Sequence, residues 1–327
     1  MPLADPADVL PMLVCPRCGS ALEQLGDGRR CASADCPCHD ARPFSTVGSW
    51  PVIVDFERSI LEPAAVRSAP AAALAPGALR RRVTRRLPGR LRALWKPANT
   101  VAARNVEALL SSLDPSSLIL VVGGAEMGNG VEALYRGEPA VIGFDIYGSA
   151  LTHFIADAHQ IPLRTGSVDA VLIQAVLEHV LDPPAVVREI HRVLRPEGLV
   201  YAETPFLQQV HAGPYDFTRY TASGHRWLFR AFDEIDAGAV AGPGTQMLWS
   251  VDHLVRGLVR SAAAGRLARL ALSWLRLLDR LVPAEHALDD ASAVYFLGRR
   301  AERELTPHEL TRYYAGAQRV RAESGSA

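Results

Sequence analysis

Apolar runs alternate with segments of helical periodicity through most of the chain between residues 99 and 298. The apolar runs predict strands at residues 118–122, 140–145, 168–173, 198–202, 232–237 and 292–298. The periodic segments predict helices at residues 99–110, 129–136, 184–194 and 247–282. Strands that are apolar at nearly every position and alternate with helices are buried on both faces. The pattern therefore predicts an α/β fold with a doubly wound, mostly parallel sheet, which binds ligands at the carboxyl ends of its strands.

A glycine-rich turn joins the first two predicted strands of this sheet. The first strand leads into Gly123, Gly124, Gly128 and Gly130, and the second strand ends at Asp145. An acid about 20 residues beyond such a turn binds the hydroxyl pair of a ribose. The sequence therefore predicts a nucleoside-containing cofactor, and an NAD-type dinucleotide is the alternative for the turn taken alone.

All five cysteines of the chain lie between residues 15 and 38. A C-x2-C pair is followed after twelve residues by a C-x4-C pair, a spacing that suits four thiolates around a structural zinc ion. Two apolar runs around Gly48 predict a small hairpin that completes this module. The ligands favoured by the spacing are Cys15, Cys18, Cys31 and Cys36, with Cys38 and His39 as alternatives for the fourth position.

Composition and motif spacing divide the chain into four predicted parts. Residues 1–60 form the zinc-binding module, and residues 61–98 form a linker rich in Ala and Pro that contains a basic helix. Residues 99–300 form the main domain with a helical insertion at about 247–282, and residues 301–327 form a C-terminal helix, begun by the capping pattern at Thr306, and a tail. The helical insertion is expected to cap the active site or to form an interface.

Charge bears on the choice of partner only in one segment. Lys plus Arg and Asp plus Glu number 35 each, so the overall charge indicates no particular partner. Residues 79–96, however, carry eight basic residues and no acid. Two interpretations are open: a surface that binds RNA or another anion, and the solvated face of a helix.

Three further features of the sequence bear on the cellular location of the protein. No apolar run is long enough to cross a bilayer, and the N-terminus lacks the basic and apolar regions of a secretory leader. Clustered thiols in a reducing environment are more often metal ligands than disulfides. We therefore expect a cytoplasmic protein without stable membrane insertion.

A series of motifs in the main domain resembles a known family. Gly123-Gly124-Ala125 and Asp145 are followed by Asp157-Ala158-His159-Gln160-Ile161-Pro162-Leu163, by Leu177-Glu178-His179-Val180 and by Val193-Leu194-Arg195-Pro196-Glu197-Gly198. In this order the motifs resemble those of the class I S-adenosylmethionine (SAM)-dependent methyltransferases. The cysteine-rich segment, over about residues 10–56, resembles the zinc-binding family of methyltransferase activator proteins.

The resemblance implies SAM as the cofactor and assigns roles around it. It implies that Asp145 binds the ribose hydroxyls, that Asp157 accepts the adenine amino group and that the Ala158 amide meets the ring. The implied cofactor-binding residues are Gly123, Gly124, Glu126, Gly128, Asp145, Ile146, Asp157, Ala158, Gln174 and Glu178. The chain departs from the family at Val121, where an acid is usual, and at Ala125, where the second glycine of the turn is usual.

The residues that bind the methyl acceptor are expected in the polar segment at residues 203–220, which follows the end of a predicted strand. The segment resembles a loop found in methyltransferases of bacterial cell-surface and secondary-metabolite pathways. His211 is the first candidate for a general base, because histidine is the side chain that ordinarily exchanges a proton near neutral pH, and His179 is the second. Asp216 and Arg219 either pair with each other or act on the substrate, with Arg219 as an anion clamp. Tyr215 and Tyr220 are candidate walls of a substrate pocket.

Three functions follow from these residues and resemblances. The favoured one is methyl transfer from SAM to oxygen or nitrogen of a small molecule or biosynthetic intermediate. The second is an rRNA or tRNA methyltransferase that grips RNA through the zinc module and the basic segment. The third is a SAM-binding partner protein without catalytic activity, suggested by Val121 and Ala125.

Overall fold

A computed structural model of the chain describes residues 3–68 and 98–319. The predicted basic helix at residues 79–96 lies outside the described residues, as does most of the predicted linker. Where that linker was expected to begin, the structure has a short helix at Pro63–Ser68.

The elements are numbered here in chain order. The strands are β1 (Leu22–Leu25), β2 (Gly28–Cys31), β3 (Thr46–Val47), β4 (Trp50–Pro51), β5 (Leu118–Val122), β6 (Ala140–Asp145), β7 (Phe154–Ile155), β8 (Val168–Gln174), β9 (Leu194–Pro205), β10 (Phe232–Ala241) and β11 (Ala293–Arg300). The α-helices are α1 (Pro6–Val9), α2 (Pro37–Asp40), α3 (Pro63–Ser68), α4 (Thr100–Ser111), α5 (Pro183–Val193), α6 (Ala222–Leu228), α7 (Pro243–Val259), α8 (Ala262–Ala271), α9 (Ala284–Asp289) and α10 (Pro307–Tyr313).

Seven strands of the described residues form one sheet in the order β10-β11-β9-β8-β5-β6-β7. β5 to β9 run parallel to one another, whereas β11 is antiparallel to both β9 and β10. The predicted α/β fold with a doubly wound, mostly parallel sheet is confirmed. The chain order reverses at β5, which lies between β6 and β8, and ligands bind in the crevice at such a switch point.

Both faces of the sheet are covered, as the apolar strands predict. Leu120 and Val122 point to one face, where they share a core with Ile190 of α5. Ile119 and Val121 point to the other, where they share a core with helix α4. The alternation follows from the two-residue repeat of a strand, and it explains why β5 is apolar at every position.

One predicted element of the main domain is wrong. The helix expected at residues 129–136 is reduced to a single 3₁₀ turn, Glu132–Tyr135. Gly130 has a φ of 89°, which is incompatible with a helix, and Gly137 and Pro139 follow directly after the turn. The other predicted strands and helices are present, with β9 and β10 longer than their apolar runs indicate.

The N-terminal segment packs against the β7 edge of the large sheet. Val52 forms a parallel bridge with Ile155, and the Ile53 amide donates a hydrogen bond of 2.9 Å to the Ile155 carbonyl. The Trp50 indole donates to the carbonyls of Ser149 and Thr152, at 3.1 Å each. An edge strand leaves backbone groups unpaired, and the N-terminal segment pairs part of them here. The β3–β4 pair confirms the hairpin expected around Gly48.

The predicted helical insertion is present as α7, α8 and a 3₁₀ stretch at Ser273–Arg280. Asp252 of α7 is buried and is paired with Arg256 and Arg269. Gln209, in the loop after β9, donates to the Ser250 hydroxyl at 3.0 Å, so α7 contacts this loop. Leu258, Leu267 and Leu281 are largely exposed. Among residues 3–68 and 98–319, no helix combines the length and apolar character needed to span a bilayer.

Candidate active site

The residues singled out in the sequence collect at the carboxyl ends of five parallel strands. The glycine turn follows β5, Asp145 ends β6, and Asp157 follows β7. Glu178 and His179 lie in a 3₁₀ turn after β8, and residues 206–220 after β9 form what we name the acceptor loop. Carboxyl ends of parallel strands share one edge of the sheet, so both sets of candidates lie at that edge.

The glycines of the turn are required by close packing inside the protein. Gly123 has a φ of 72°, and a Cβ atom there would lie 2.3 Å from a methyl group of Val176. Gly130 has a φ of 89°, and its Cβ atom would lie 2.3 Å from the Asn99 carbonyl oxygen. Only glycine adopts such conformations without strain. The Gly124 amide donates to the Phe144 carbonyl at 2.9 Å, which ties the turn to β6.

Asp145 is held against this turn by two backbone amides. Its carboxylate accepts hydrogen bonds from the Ala125 amide at 3.0 Å and from the Ile146 amide at 2.7 Å. Burial raises the pKa of Asp145 to about 6, and the negative charge of Glu126 adds to this effect. The Ile146 side chain beside it is 42% exposed. A carboxylate and an exposed apolar side chain at a strand end fit the ribose and base of a nucleoside.

Asp157 is shared between the main domain and the N-terminal segment. It accepts from the amide of His159 at 2.9 Å and from the Nδ1 atom of that ring at 2.6 Å. The Ser59 hydroxyl donates to the other carboxylate oxygen. Burial alone would raise the pKa of Asp157, but the hydrogen bonds from His159 and Ser59 hold it below its ordinary value. Ala158 begins the short 3₁₀ turn that Asp157 caps.

A buried polar network beneath the turn was missed by the sequence analysis. Glu203 accepts hydrogen bonds from Tyr201 at 2.5 Å, from Gln174 at 2.7 Å and from Asn99 at 3.0 Å. Burial raises the pKa of Glu203. Gln174 also donates to the Asn129 carbonyl at 3.1 Å, and a Cβ atom on Gly128 would lie 1.8 Å from its Oε1 atom.

Glu203 and Gln174 lie in this network and not where the sequence predicts them. Glu203 was placed at the start of the acceptor side, but it is buried within β9, and Gln174 joins it to the glycine turn. The available signal was an acid and a tyrosine two residues apart in an otherwise apolar strand. Residues two apart on a strand face the same side, which would have paired them.

Glu178, His179 and His211 converge on one point. The Glu178 Oε1 atom lies 3.6 Å from Nε2 of His179 and 3.8 Å from Nε2 of His211. The two imidazole rings meet edge to face, with centroids 4.9 Å apart. Glu178 is fully buried, and neither of its carboxylate oxygens has a hydrogen-bond partner. Burial raises the pKa of Glu178 to about 7. The structure thus brings together the two predicted catalytic histidines and a carboxylate that had been assigned to the cofactor.

Asp216 and Arg219 hold the acceptor loop in shape. Arg219 pairs with both carboxylate oxygens of Asp216 and also donates to the Gln208 carbonyl at 2.9 Å. The hydrogen bond from Arg219 holds the pKa of Asp216 far below its ordinary range. The His211 amide donates to Asp216 at 2.8 Å. The expected pairing of Asp216 with Arg219 is present, so the guanidinium is engaged within the loop.

The predicted aromatic walls differ in exposure. Tyr215 is 57% exposed, and its carbonyl oxygen accepts a hydrogen bond of 2.7 Å from Nδ1 of His179. Tyr220 packs against the main hydrophobic core. The Phe217 amide donates to the Glu178 carbonyl at 2.8 Å, which fastens the loop to the turn after β8.

The cysteine site lies apart from this edge, in the N-terminal segment. The sulfur atoms of Cys15, Cys18, Cys31 and Cys36 all lie within 4.8 Å of one another. Cys15 and Cys36 are 3.8 Å apart and Cys18 and Cys31 are 3.4 Å apart. Tetrahedral ligands at a Zn–S distance of about 2.3 Å lie about 3.8 Å apart, so the four thiols fit a zinc ion. Nδ1 of His39 donates to the Cys31 carbonyl at 2.8 Å, and Cys38 is buried beside the cluster.

A cavity of about 270 Å³ also lies in the N-terminal segment, lined mainly by residues between 37 and 45 and between 52 and 57. Arg17, Phe44, Val54 and Asp55 are among the residues that line it, and none of the predicted cofactor residues does. Arg17 closes one side through a bidentate pair with Asp55, at 2.6 and 2.7 Å.

Comparison with known proteins agrees with this geometry. Residues 124–202 match the family model of the methyltransferase domain. A curated relative, an uncharacterised 37.1 kDa protein in a Streptomyces fradiae transposon, is 30% identical over 156 residues, which are 46% of this chain and 37% of that protein. The chain thus aligns with little more than a third of that relative's length.

Solved structures give more distant matches. A putative sarcosine dimethylglycine methyltransferase from Galdieria sulphuraria is 14% identical over 67% of this chain and 91% of its own, with a TM-score of 0.41. A geranyl diphosphate C-methyltransferase from Streptomyces coelicolor is 13% identical over 62% of this chain and 76% of its own, with a TM-score of 0.42.

The family match begins within the glycine turn, at Gly124, and includes Asp145, Asp157 and Glu178. The glycine turn lies at the switch point of the strand order, in the doubly wound, mostly parallel sheet that the sequence predicts. The comparisons therefore show that residues 124–202 are similar to a methyltransferase domain.

Proposed function

We propose that the protein transfers the methyl group of SAM to an oxygen or nitrogen atom of a small-molecule acceptor. The observation that carries this proposal is the cluster of Glu178, His179 and His211, which lies on the same sheet edge as Asp145 and the glycine turn. Titratable groups gathered beside a cofactor site are typical of an active centre.

The cofactor is held, in this proposal, by the residues that the family motifs indicate. Asp145 accepts the ribose hydroxyls, and Asp157 with the Ala158 amide meets the adenine. Glu126 and the glycine turn lie toward the methionine end. Because Asp145 already accepts two amide hydrogen bonds, SAM binding adds the hydroxyls to an oriented carboxylate.

The chemistry is an in-line displacement. The acceptor atom attacks the methyl carbon, the carbon–sulfur bond breaks, and its electron pair stays on sulfur as S-adenosylhomocysteine forms. A hydroxyl or ammonium acceptor also loses a proton. The protein aligns the two reactants and assists the loss of that proton. His179 and His211 are the residues that we propose for this assistance.

The acceptor loop provides the rest of the acceptor site. Arg219 is engaged by Asp216 and by loop carbonyls, which supports a role in shaping the loop and not in clamping an anion. Tyr215 and Phe217 are exposed on the same loop and provide apolar surface beside His211.

The N-terminal segment is proposed to hold a structural zinc ion at Cys15, Cys18, Cys31 and Cys36. Four thiolates complete a tetrahedral shell and leave no open position for a substrate. The zinc ion would stabilise the segment that supplies Ser59 to Asp157.

Calorimetric titration with SAM tests the cofactor half of the proposal. Binding is expected for the wild-type chain and for His253→Ala, a histidine exposed on α7. Absence of binding at millimolar SAM would remove methyl transfer as the function.

A turnover assay tests the part of the proposal that concerns the acceptor. Turnover is measured as the release of S-adenosylhomocysteine in the presence of candidate acceptors. His211→Ala is expected to lower turnover by about 100-fold or more and to leave the SAM dissociation constant unchanged. Unchanged turnover would contradict the proposal for His211. Turnover on RNA alone, with an affinity that falls steeply with salt, would replace the small molecule by RNA as the acceptor.

A further inference from the structure

The two histidines of the cluster are oriented as metal ligands are. Nδ1 of His179 donates to the Tyr215 carbonyl at 2.7 Å. Nδ1 of His211 faces two acceptors, the Gln209 carbonyl and Asp216 Oδ2, each at 3.4 Å. A proton on each Nδ1 leaves each Nε2 with a free lone pair. Metal-binding histidines are held in this way by a carbonyl or carboxylate at the other ring nitrogen.

Glu178 presents a buried carboxyl group at the point where the two lone pairs meet. Its carboxylate is fully buried, and both of its oxygens lack a hydrogen-bond partner. Asp216 and Arg219 neutralise each other beside it. A buried carboxylate without a partner is costly, and a bound cation removes that cost.

The distances suit a metal ion with open positions. Ligand atoms about 2.1 Å from a tetrahedral metal lie about 3.4 Å apart. The Nε2 atoms lie 3.6 and 3.8 Å from the Glu178 oxygen, and all three ligand atoms lie within 4.8 Å of one another, so small side-chain shifts bring them to one metal ion. The side chains of His179 and His211 are 26% and 34% exposed, which leaves one side of the site open to water or substrate.

We propose that Glu178, His179 and His211 bind one divalent first-row transition metal ion, and that the acceptor coordinates this ion through the atom that is methylated. Two imidazoles and one carboxylate with open positions are typical of such ions. The proposal rests on the proposed methyl transfer and names its acceptor class: a small molecule with a metal-coordinating oxygen or nitrogen.

The metal assigns a role to each residue of the cluster. A coordinated acceptor hydroxyl has a lowered pKa and loses its proton to solvent, after which its oxygen attacks the methyl carbon. His179 and His211 then assist the loss of this proton as ligands of the metal ion and not as bases, and Asp216 orients the His211 ring. One proton is released for each S-adenosylhomocysteine formed.

Cobalt titration tests the site on protein whose cysteine site has first been filled with zinc. Wild type is expected to bind one further Co²⁺, with a visible spectrum that lacks the thiolate-to-cobalt charge-transfer band. Glu178→Gln and His211→Ala are expected to weaken this binding by at least about 100-fold, and Asp216→Asn by about 10- to 100-fold. His253→Ala is the matched control and is expected to bind as wild type does.

The results separate this site from the proposed function. Wild-type protein that binds SAM but takes up no further Co²⁺, or Glu178→Gln that binds Co²⁺ like wild type, overturns the metal site alone. Far-UV circular dichroism and SAM affinity show whether each variant is folded. A third outcome is that wild type binds Co²⁺ but no SAM, and that Glu178→Gln and His211→Ala lose the Co²⁺. This outcome overturns methyl transfer and supports the metal site.

Discussion

Single side chains decide what each strand end of this sheet can bind. Asp145 is a clear case, because burial raises its pKa to about 6 while two amides hold its carboxylate in place. In the proposed binding mode the ribose hydroxyls donate hydrogen bonds to Asp145, and they bind its ionised carboxylate. Protonation of one residue therefore competes with cofactor binding.

SAM affinity is expected to depend on pH through Asp145. Below about pH 6 the carboxyl must lose a proton before SAM binds, so affinity falls by up to about tenfold per pH unit, and above about pH 7 it is level. Calorimetric titration over this range checks the slope. Asp145→Asn is expected to bind weakly at every pH, whereas Asp233→Asn, an exposed aspartate of β10, should behave as wild type. A pH slope that persists in Asp145→Asn would contradict the assignment.

Glu203 is expected to contribute strongly to stability, because its buried carboxylate accepts hydrogen bonds from three side chains. An amide at this position would direct an NH₂ group at those donors. Glu203→Gln should lower the free energy of unfolding by about 1–3 kcal/mol. Glu197→Gln, at an exposed position of the same strand, should stay within about 0.5 kcal/mol of wild type. Equal stability of the two variants in urea denaturation would argue against the network.

At the scale of elements, the glycine turn replaces a helix. The segment after β5 has the periodicity of a helix. Its backbone conformation, however, is set by the close packing of Gly130 against Asn99 at the start of α4. The turn, α4 and Gln174 therefore form one packed unit beneath the cofactor edge. Its stability depends on backbone conformation more than on helix propensity.

Gly130→Ala tests this unit. The φ of 89° and a Cβ atom 2.3 Å from the Asn99 carbonyl predict a loss of about 2 kcal/mol or more in the free energy of unfolding. Gly257→Ala is the control, since this glycine lies within α7 with no atom within 4 Å of the added Cβ. That change should stabilise the protein by up to about 1 kcal/mol. A neutral Gly130→Ala would show that the turn tolerates a side chain.

At the scale of the whole molecule, the N-terminal segment and the main domain share structure. Val9, Leu13 and Ile53 belong to the same core as β5 and β8. The Ile53 amide extends the sheet at β7, and Ser59 reaches Asp157 at the proposed adenine site. Unfolding of the N-terminal segment is therefore expected to disturb Asp157 and the proposed cofactor site.

Zinc removal is expected to lower both thermal stability and SAM affinity. Cys15→Ser should lose the metal, because it removes one of four converging sulfurs, whereas Cys38→Ser should retain it. Metal analysis, a melting curve and a SAM titration on each variant check this. Stoichiometric zinc in Cys15→Ser would contradict the ligand set, and unchanged SAM affinity after zinc loss would contradict the coupling.

Local patterns in the sequence determined six of the seven strands of the large sheet, most helices of the main domain, the glycine turn and the cysteine cluster. Each of these depends on residues close together in the chain: the apolar positions of β5, the cap at Thr306 and the C-x2-C pair. The predicted helix at 129–136 is wrong because periodicity within the segment does not include its packing against Asn99, a residue distant in the chain.

The tertiary structure alone decided which of these residues act together. Asn99 meets Glu203 across 104 residues of chain, and Ser59 meets Asp157 across 98. His211 approaches Glu178 only because the acceptor loop folds back onto the turn after β8. Side-chain patterns specify local conformation through steric and hydrophobic preferences, whereas a site depends on the distances between strand ends, which exist only once the sheet has formed.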